Sequence, residues 1–190
     1  MPRPKHILVV GLGTFGRQAA VALADGGATV IAVERQRERV DAVAHQIAKA
    51  VCADATDEEA LEAIGAFEVD AAVVSVGQFF DVTVLVTYLL RRHGIKEIVV
   101  QVDSQRQGEA IRAVGATEVA FPERDSANAI AERFLGGLAF KRLAISRDSS
   151  LIELAVPKQA EGRSLRQLEL RRRYSINVVA IKTPAPEEGL

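Results

Sequence analysis

Short runs of β-branched apolar residues alternate along the first 120 residues with longer stretches whose apolar positions recur every three or four residues. That alternation predicts strands joined by crossover helices, an α/β chain. The strand segments are 7–10, 29–33, 50–53, 71–75, 98–102 and a short 118–120. Helical spacing covers 15–24, 37–48, 57–64, 82–92 and 105–114, with Gly26-Gly27, Gly65, Gly94 and Gly115 placed as C-terminal stops. The strands are apolar almost without a break, so both faces of their sheet are covered, which predicts a doubly wound parallel sheet of about six strands. Such a sheet takes ligands beyond the strand C-termini, where the strand order reverses.

After Pro122 a sixth helical stretch carries Ala127, Ile130, Ala131, Phe134, Leu135 and Leu138 at intervals of three and four. A finished sheet does not need this stripe, which either packs on its own sheet or crosses to a second copy of the chain. Further on, 143–145, 151–156 and 177–181 read as strands around a short helix at 165–170, enough for a small α+β module, and the Pro-rich ending from Pro184 reads as a frayed tail.

Composition narrows the classes of function. Of 190 residues, 48% are hydrophobic, which is ample for a domain core, and the formal net charge is -1. A balanced chain has no basic surface to hold a polyanion, so nucleic acid is not expected as a partner. The longest apolar stretches, such as 71–76, fall far short of the roughly 20 residues of a membrane-spanning helix, so the protein is expected to be cytoplasmic with no direct membrane insertion. Charge is nonetheless uneven: 14 basic and 19 acidic residues up to Phe140 give way to ten and six beyond it. Arg171-Arg172-Arg173 supplies much of that excess and reads as solvated surface at a helix end. Cys52 has no disulfide partner, and His6, His45 and His93 lie too far apart in sequence to suggest a metal site.

The candidate chemistry begins where the first strand runs straight into Gly11-Leu12-Gly13-Thr14-Phe15-Gly16. In this G-x-G-x-x-G, Gly11 permits a tight turn, Gly13 lets backbone approach a pyrophosphate, and Gly16 allows close helix-to-strand contact. The helix N-terminus behind Thr14 and Phe15 offers unpaired N–H groups to anionic oxygens. The second strand leads into Glu34, 18 residues after Gly16, where a carboxylate accepts hydrogen bonds from ribose hydroxyls and repels a 2′-phosphate. A Rossmann-like fold binding an adenine nucleotide (ATP, ADP or AMP) or NAD(H) follows. Arg35 beside Glu34 could stack on adenine, welcome a 2′-phosphate or stand as plain exposed surface, and stacking is the preferred reading. Asp54 is placed to reach adenine edge atoms, with Ala55 and Thr56 beside it, while Thr56 and Glu59 also have the spacing of a helix capping box. Ser75-Val76-Gly77-Gln78, after the fourth strand, reads either as a binding loop or as a structural turn. No His, Lys, Tyr or Cys has a spacing that suggests hydride transfer, so a binding module is favoured over an enzyme; the alternative is an NAD-dependent oxidoreductase domain.

Taken together, the Gly11–Gly16 loop, Glu34, Asp54-Ala55-Thr56 with Leu61 and Gly65, and the run from Val114 through Phe121-Pro122-Glu123 to Arg124 resemble the regulator of potassium conductance (RCK) or TrkA-N family, the cytosolic regulatory subunits of Ktr and Trk potassium uptake systems. The resemblance implies a nucleotide-binding domain at 1–122, a crossover or dimerisation helix at 123–140, and a partial C-terminal module at 141–190. It implies a gating subunit without catalytic residues, peripheral to the inner face of the membrane, in which nucleotide binding changes the shape of a homodimer or octameric ring and so controls a membrane potassium transporter or channel subunit. It further implies a dimer contact through Ile130, Phe134 and Leu138, and a divalent or monovalent cation at Glu123 near the nucleotide phosphates. Two contact positions depart from the family pattern. Thr14 stands where relatives often carry Arg, and Gln101 where they often carry a basic residue, so neutralisation of terminal phosphates is expected to be weaker.

Overall fold

The computed structural model describes residues 4–135, 139–144 and 149–182, and it divides into two compact units, Met1–Asn128 and Ala129–Leu190. In the first, strands β1 (His6–Val10), β2 (Thr29–Glu34), β3 (Lys49–Cys52), β4 (Ala71–Val74), β5 (Glu97–Gln101) and β6 (Glu118–Ala120) alternate with helices α1 (Thr14–Asp25), α2 (Arg37–Val43), α3 (Glu58–Ala63), α4 (Phe80–Arg92) and α5 (Gln105–Val114). The strands form one sheet in the order β3-β2-β1-β4-β5-β6, parallel throughout. The order reverses between β1 and β4, whose registers pair Val10 with Val74. This is the doubly wound, Rossmann-like sheet that the alternation of patterns predicts.

Successive side chains of each strand enter opposite layers, which is why the strands are apolar without a break. Leu8 and Val10 join Val33, Leu61, Val74, Val86, Leu90, Ile98 and Ile111 in one core. Val9 faces the other way, into a smaller core with Leu12, Ala20, Val30, Ala32, Val43 and Ile47. Strand ends lie within a residue of expectation, so Ala53, Ser75 and Val102 stand just past β3, β4 and β5 and are free to shape turns. Helix α2 corrects the expectation of 37–48: it ends at Val43, and the turns that follow bury Ile47 and bring Lys49 into register with Ile31. The demands of the β2–β3 ladder override helical spacing there.

Helix α6 (Pro122–Leu135) begins in the first unit and runs into the second. The second unit contains an antiparallel pair, β7 (Ala139–Ala144) and β8 (Ser150–Leu154), and two short helices, α7 (Leu165–Leu168) and α8 (Leu170–Tyr174), separated at Glu169 by a left-handed residue. The expected strand at 177–181 is not formed. Val178, Val179 and Ile181 are exposed there, and neither β7 nor β8 pairs with them; β-branched composition makes no strand without an edge to pair against.

Candidate functional site

The site is built on the junction between β1 and α1. Gly11 donates its N–H to the Val33 carbonyl (2.8 Å), and Ser75 donates its N–H to the Val10 carbonyl (2.7 Å), which draws the turns after β1, β2 and β4 together. The three glycines of the loop then separate by what surrounds them. Gly11 has φ +88°, and a Cβ on it would stand 2.0 Å from the Ser75 carbonyl oxygen. A Cβ on Gly16 would stand 2.1 Å from the Gly11 carbonyl oxygen. Gly13 has an ordinary φ of -63°, and a Cβ there would meet nothing within 4 Å. The fold itself requires glycine at 11 and 16 but not at 13, where the missing side chain only keeps space open in the cleft. Gly13 is also the N-cap of α1, with no side-chain cap and no acidic residue in the first turn, so the first-turn N–H groups around Thr14, Phe15 and Gly16 have no side-chain acceptor there.

A cavity of about 770 Å³ opens over this loop, and it brings together Gly11, Gly13, Thr14, Phe15, Glu34, Arg35, Asp54, Ala55, Ser75, Val76, Gly77, Gln78, Gln101 and Glu123. Gly16 lies behind the loop and Thr56 beside Asp54, neither of them on the cavity wall. Ala55 is buried and its side chain joins the larger core, so it can offer a ligand only backbone.

Glu34 is 9% exposed and already engaged: one carboxylate oxygen accepts the Leu12 N–H (2.8 Å), the other the Gln36 N–H (3.0 Å), and Arg39 lies 3.6 Å away. Burial alone would raise its pKa; the N–H groups of Leu12 and Gln36 and the Arg39 guanidinium outweigh that and hold it below the ordinary value. The Arg35 N–H also bonds this carboxylate, so its acceptor sites are largely taken up within the protein. Thus Glu34 both faces the cleft and ties the turn after β1 to the turn after β2. Arg39, which lines the cavity, was not expected from sequence: it sits five residues past Glu34 on α2, where no motif marks it. Phe79, 65% exposed and next to Gln78 in the turn after β4, is a second such residue, and no motif marks it either.

Asp54 folds back on its own turn, accepting the Thr56 N–H (2.9 Å) and hydroxyl (2.7 Å), and these bonds hold its pKa below the ordinary value. The capping box expected at Thr56 and Glu59 is corrected: the Thr56 hydroxyl is spent on Asp54, and the N-cap of α3 is Asp57, which accepts the Ala60 N–H at 3.2 Å. Arg35 pairs with Asp54 at 3.7 Å across the rim, both side chains well exposed. On the opposite wall the buried Ser75 hydroxyl donates to Gln101 Oε1 at 2.6 Å, fixing that amide at the end of β5. Gly77 and Gln78 line the turn beyond it, and Glu123 is an exposed carboxylate at the start of α6.

Among the described residues no group of three His, Cys, Asp or Glu side chains is arranged to hold a metal ion, so Glu123 does not by itself make a cation site. Ile130 and Phe134 are exposed on α6, and Leu138 lies outside the described residues. No helix among the described residues is long and apolar enough to cross a membrane.

The TrkA-N domain model matches residues 7–122. Over 178 residues the chain is 32% identical to the Ktr system potassium uptake protein C of Bacillus subtilis, covering 94% of this chain and 80% of that protein. Among solved structures it is similar to the GsuK channel bound to NAD, at a TM-score of 0.55 and 19% identity over 76% of this chain and 26% of that one. It is also similar to the Shewanella denitrificans Kef C-terminal domain in its AMP-bound form, at a TM-score of 0.60 and 21% identity over 69% and 80% of the two chains.

Proposed function

Since the chain belongs to the TrkA-N domain family, we propose that it is the nucleotide-binding regulatory subunit of a potassium transport system, which converts occupancy of the β1/β4 cleft into a change of shape felt by a membrane potassium transporter or channel subunit. The observation that carries the nucleotide part is Gly13: a glycine that neither backbone conformation nor neighbouring atoms require, at a helix N-terminus, facing a cavity. A diphosphate lies where that side chain would be, held by the first-turn N–H groups and the positive end of α1. The ribose hydroxyls donate to the Glu34 carboxylate, and the adenine lies against the Arg35–Asp54 pair at the turn after β3. The far phosphate side meets Gly77, Gln78 and the Gln101 amide.

This work is binding, not turnover. Two turns meet at Glu34 and two at Ser75, so a ligand that spans them changes their separation. The segment after Pro122 passes that change to a second copy through Ile130 and Phe134 on α6 and through Leu138 beyond it, forming a homodimer or a larger ring beside the pore subunit. A cation at Glu123 would need further ligands from the nucleotide or another copy.

Calorimetry with adenine nucleotides tests the reading. The chain as it stands is expected to bind at least one of AMP, ADP, ATP or NAD⁺, and Gly13→Val to lose that binding while its far-UV spectrum and cooperative melt persist. Retained affinity in Gly13→Val would put the ligand elsewhere.

A further inference from the structure

Resting on the nucleotide reading above, we infer that Arg39 competes with the ligand for Glu34: its guanidinium holds the edge of the carboxylate that the ribose hydroxyls need, and binding displaces it. A carboxylate offers about four acceptor sites on its two oxygens. Glu34 already meets the N–H groups of Leu12 at 2.8 Å, Gln36 at 3.0 Å and Arg35, and Arg39 Nη1 stands 3.6 Å from its Oε2. The residue is 9% exposed, so little of the carboxylate is left for a newcomer. Ribose hydroxyls reach it only where a present partner gives way.

Those partners are not equally easy to displace. The Leu12 bond is buried, and the backbone N–H groups on Glu34 hold the turns after β1 and β2 in place; a buried N–H deprived of its acceptor has no water to turn to. Arg39 differs on each count. Its side chain is 47% exposed, its 3.6 Å contact is longer than a hydrogen bond, and water solvates the guanidinium once it leaves. It stands on the first turn of α2 and lines the cavity beside Glu34, where a ligand meets it. Arg35, the other cation lining the cavity among the described residues, faces Asp54 at 3.7 Å instead.

Two effects of this arginine therefore oppose each other. As a cation it attracts the phosphates of a ligand over the distance between them, and at the ribose it occupies the carboxylate that the hydroxyls require. A ribonucleotide and its 2′,3′-dideoxy analogue separate the two, because both carry the same phosphates and only one has hydroxyls for Glu34. Displacement also loosens α2 from the turn after β1, since the Oε2 that faces Arg39 is the one that accepts the Leu12 N–H.

Calorimetry on the full chain, with AMP and ADP each beside its 2′,3′-dideoxy analogue, decides the matter. The parent is expected to prefer the ribonucleotide, and Arg39→Gln to widen that preference about two- to fivefold, the scale of a half-exposed ion pair removed from the competition. Arg39→Lys keeps a cation there and should stay near the parent. Arg37→Gln removes the same charge from the same turn of α2, at a side chain 75% exposed and paired with Asp41, and should leave the preference unchanged. A preference that narrows or stays the same in Arg39→Gln, or widens equally in Arg37→Gln, overturns the inference and leaves the nucleotide site standing. A parent that binds both forms alike takes the ribose away from Glu34 and overturns it too. No heat from AMP or ADP counts against the nucleotide reading itself and removes the inference with it.

Discussion

Within one turn, glycine serves two purposes, and substitution separates them. Gly11→Ala forces a Cβ to within 2.0 Å of a backbone oxygen at a left-handed φ, so it is expected to cost at least about 2 kcal/mol in urea melts. Gly13→Ala has open space and an ordinary φ, so its stability changes by less than about 1 kcal/mol while adenine-nucleotide affinity falls at least about tenfold in calorimetry. Equal losses of stability in the two variants would refute the distinction. Glu34 gives a pH signature. Its pKa in the folded chain lies below the ordinary 4.5, so its contribution to stability is complete above that value and is lost as pH falls through the lower, folded-state pKa. Melts between neutral pH and pH 3 should therefore show a steeper acid loss in the parent than in Glu34→Gln. The spacing of Gly16 and Glu34 made this carboxylate legible in sequence as a residue of the cleft. Its bonds to the Leu12 and Gln36 N–H groups were not legible, because they depend on how two turns meet across the sheet.

At the scale of elements, apolar patterning located all six parallel strands and the helices between them, since burial on both faces leaves a signal that short windows can read. It failed where a segment's partner, rather than its own composition, decides. Helix α2 stops at Val43 because the β3 ladder needs Lys49 opposite Ile31, and 177–181 stays irregular because no edge pairs with it. Caps behave the same way: Thr56 had the right spacing, but its hydroxyl prefers Asp54, and Asp57 takes the cap. The reciprocal box on α5 is complete, with the Ser104 hydroxyl accepting the Gln107 N–H at 3.3 Å and the Gln107 side chain accepting the Ser104 N–H at 3.2 Å. Ser104→Ala should lower stability by about 1 kcal/mol in urea melts without altering nucleotide affinity, because α5 contributes nothing to the main cleft.

For the whole molecule, what matters is which functions one copy holds by itself. Every residue lining the main cleft, up to Glu123, belongs to the unit Met1–Asn128, whereas Ile130 and Phe134 belong to the unit that follows. Nucleotide binding and self-association should then be separable by mutation. Light scattering of the parent is expected to give at least twice the chain mass of 20.5 kDa, through the α6 contact. Ile130→Asp replaces an exposed apolar side chain with a charge that a dry contact would have to desolvate, so it should shift the mass toward one chain. Affinity for adenine nucleotide should stay within about threefold of the parent, because the altered residue lies outside the cleft. A parent that weighs as one chain would remove α6 as a dimer contact. A dissociated Ile130→Asp that no longer binds nucleotide would mean that a second copy completes the cleft, so that ligand binding and assembly are one event rather than two coupled ones.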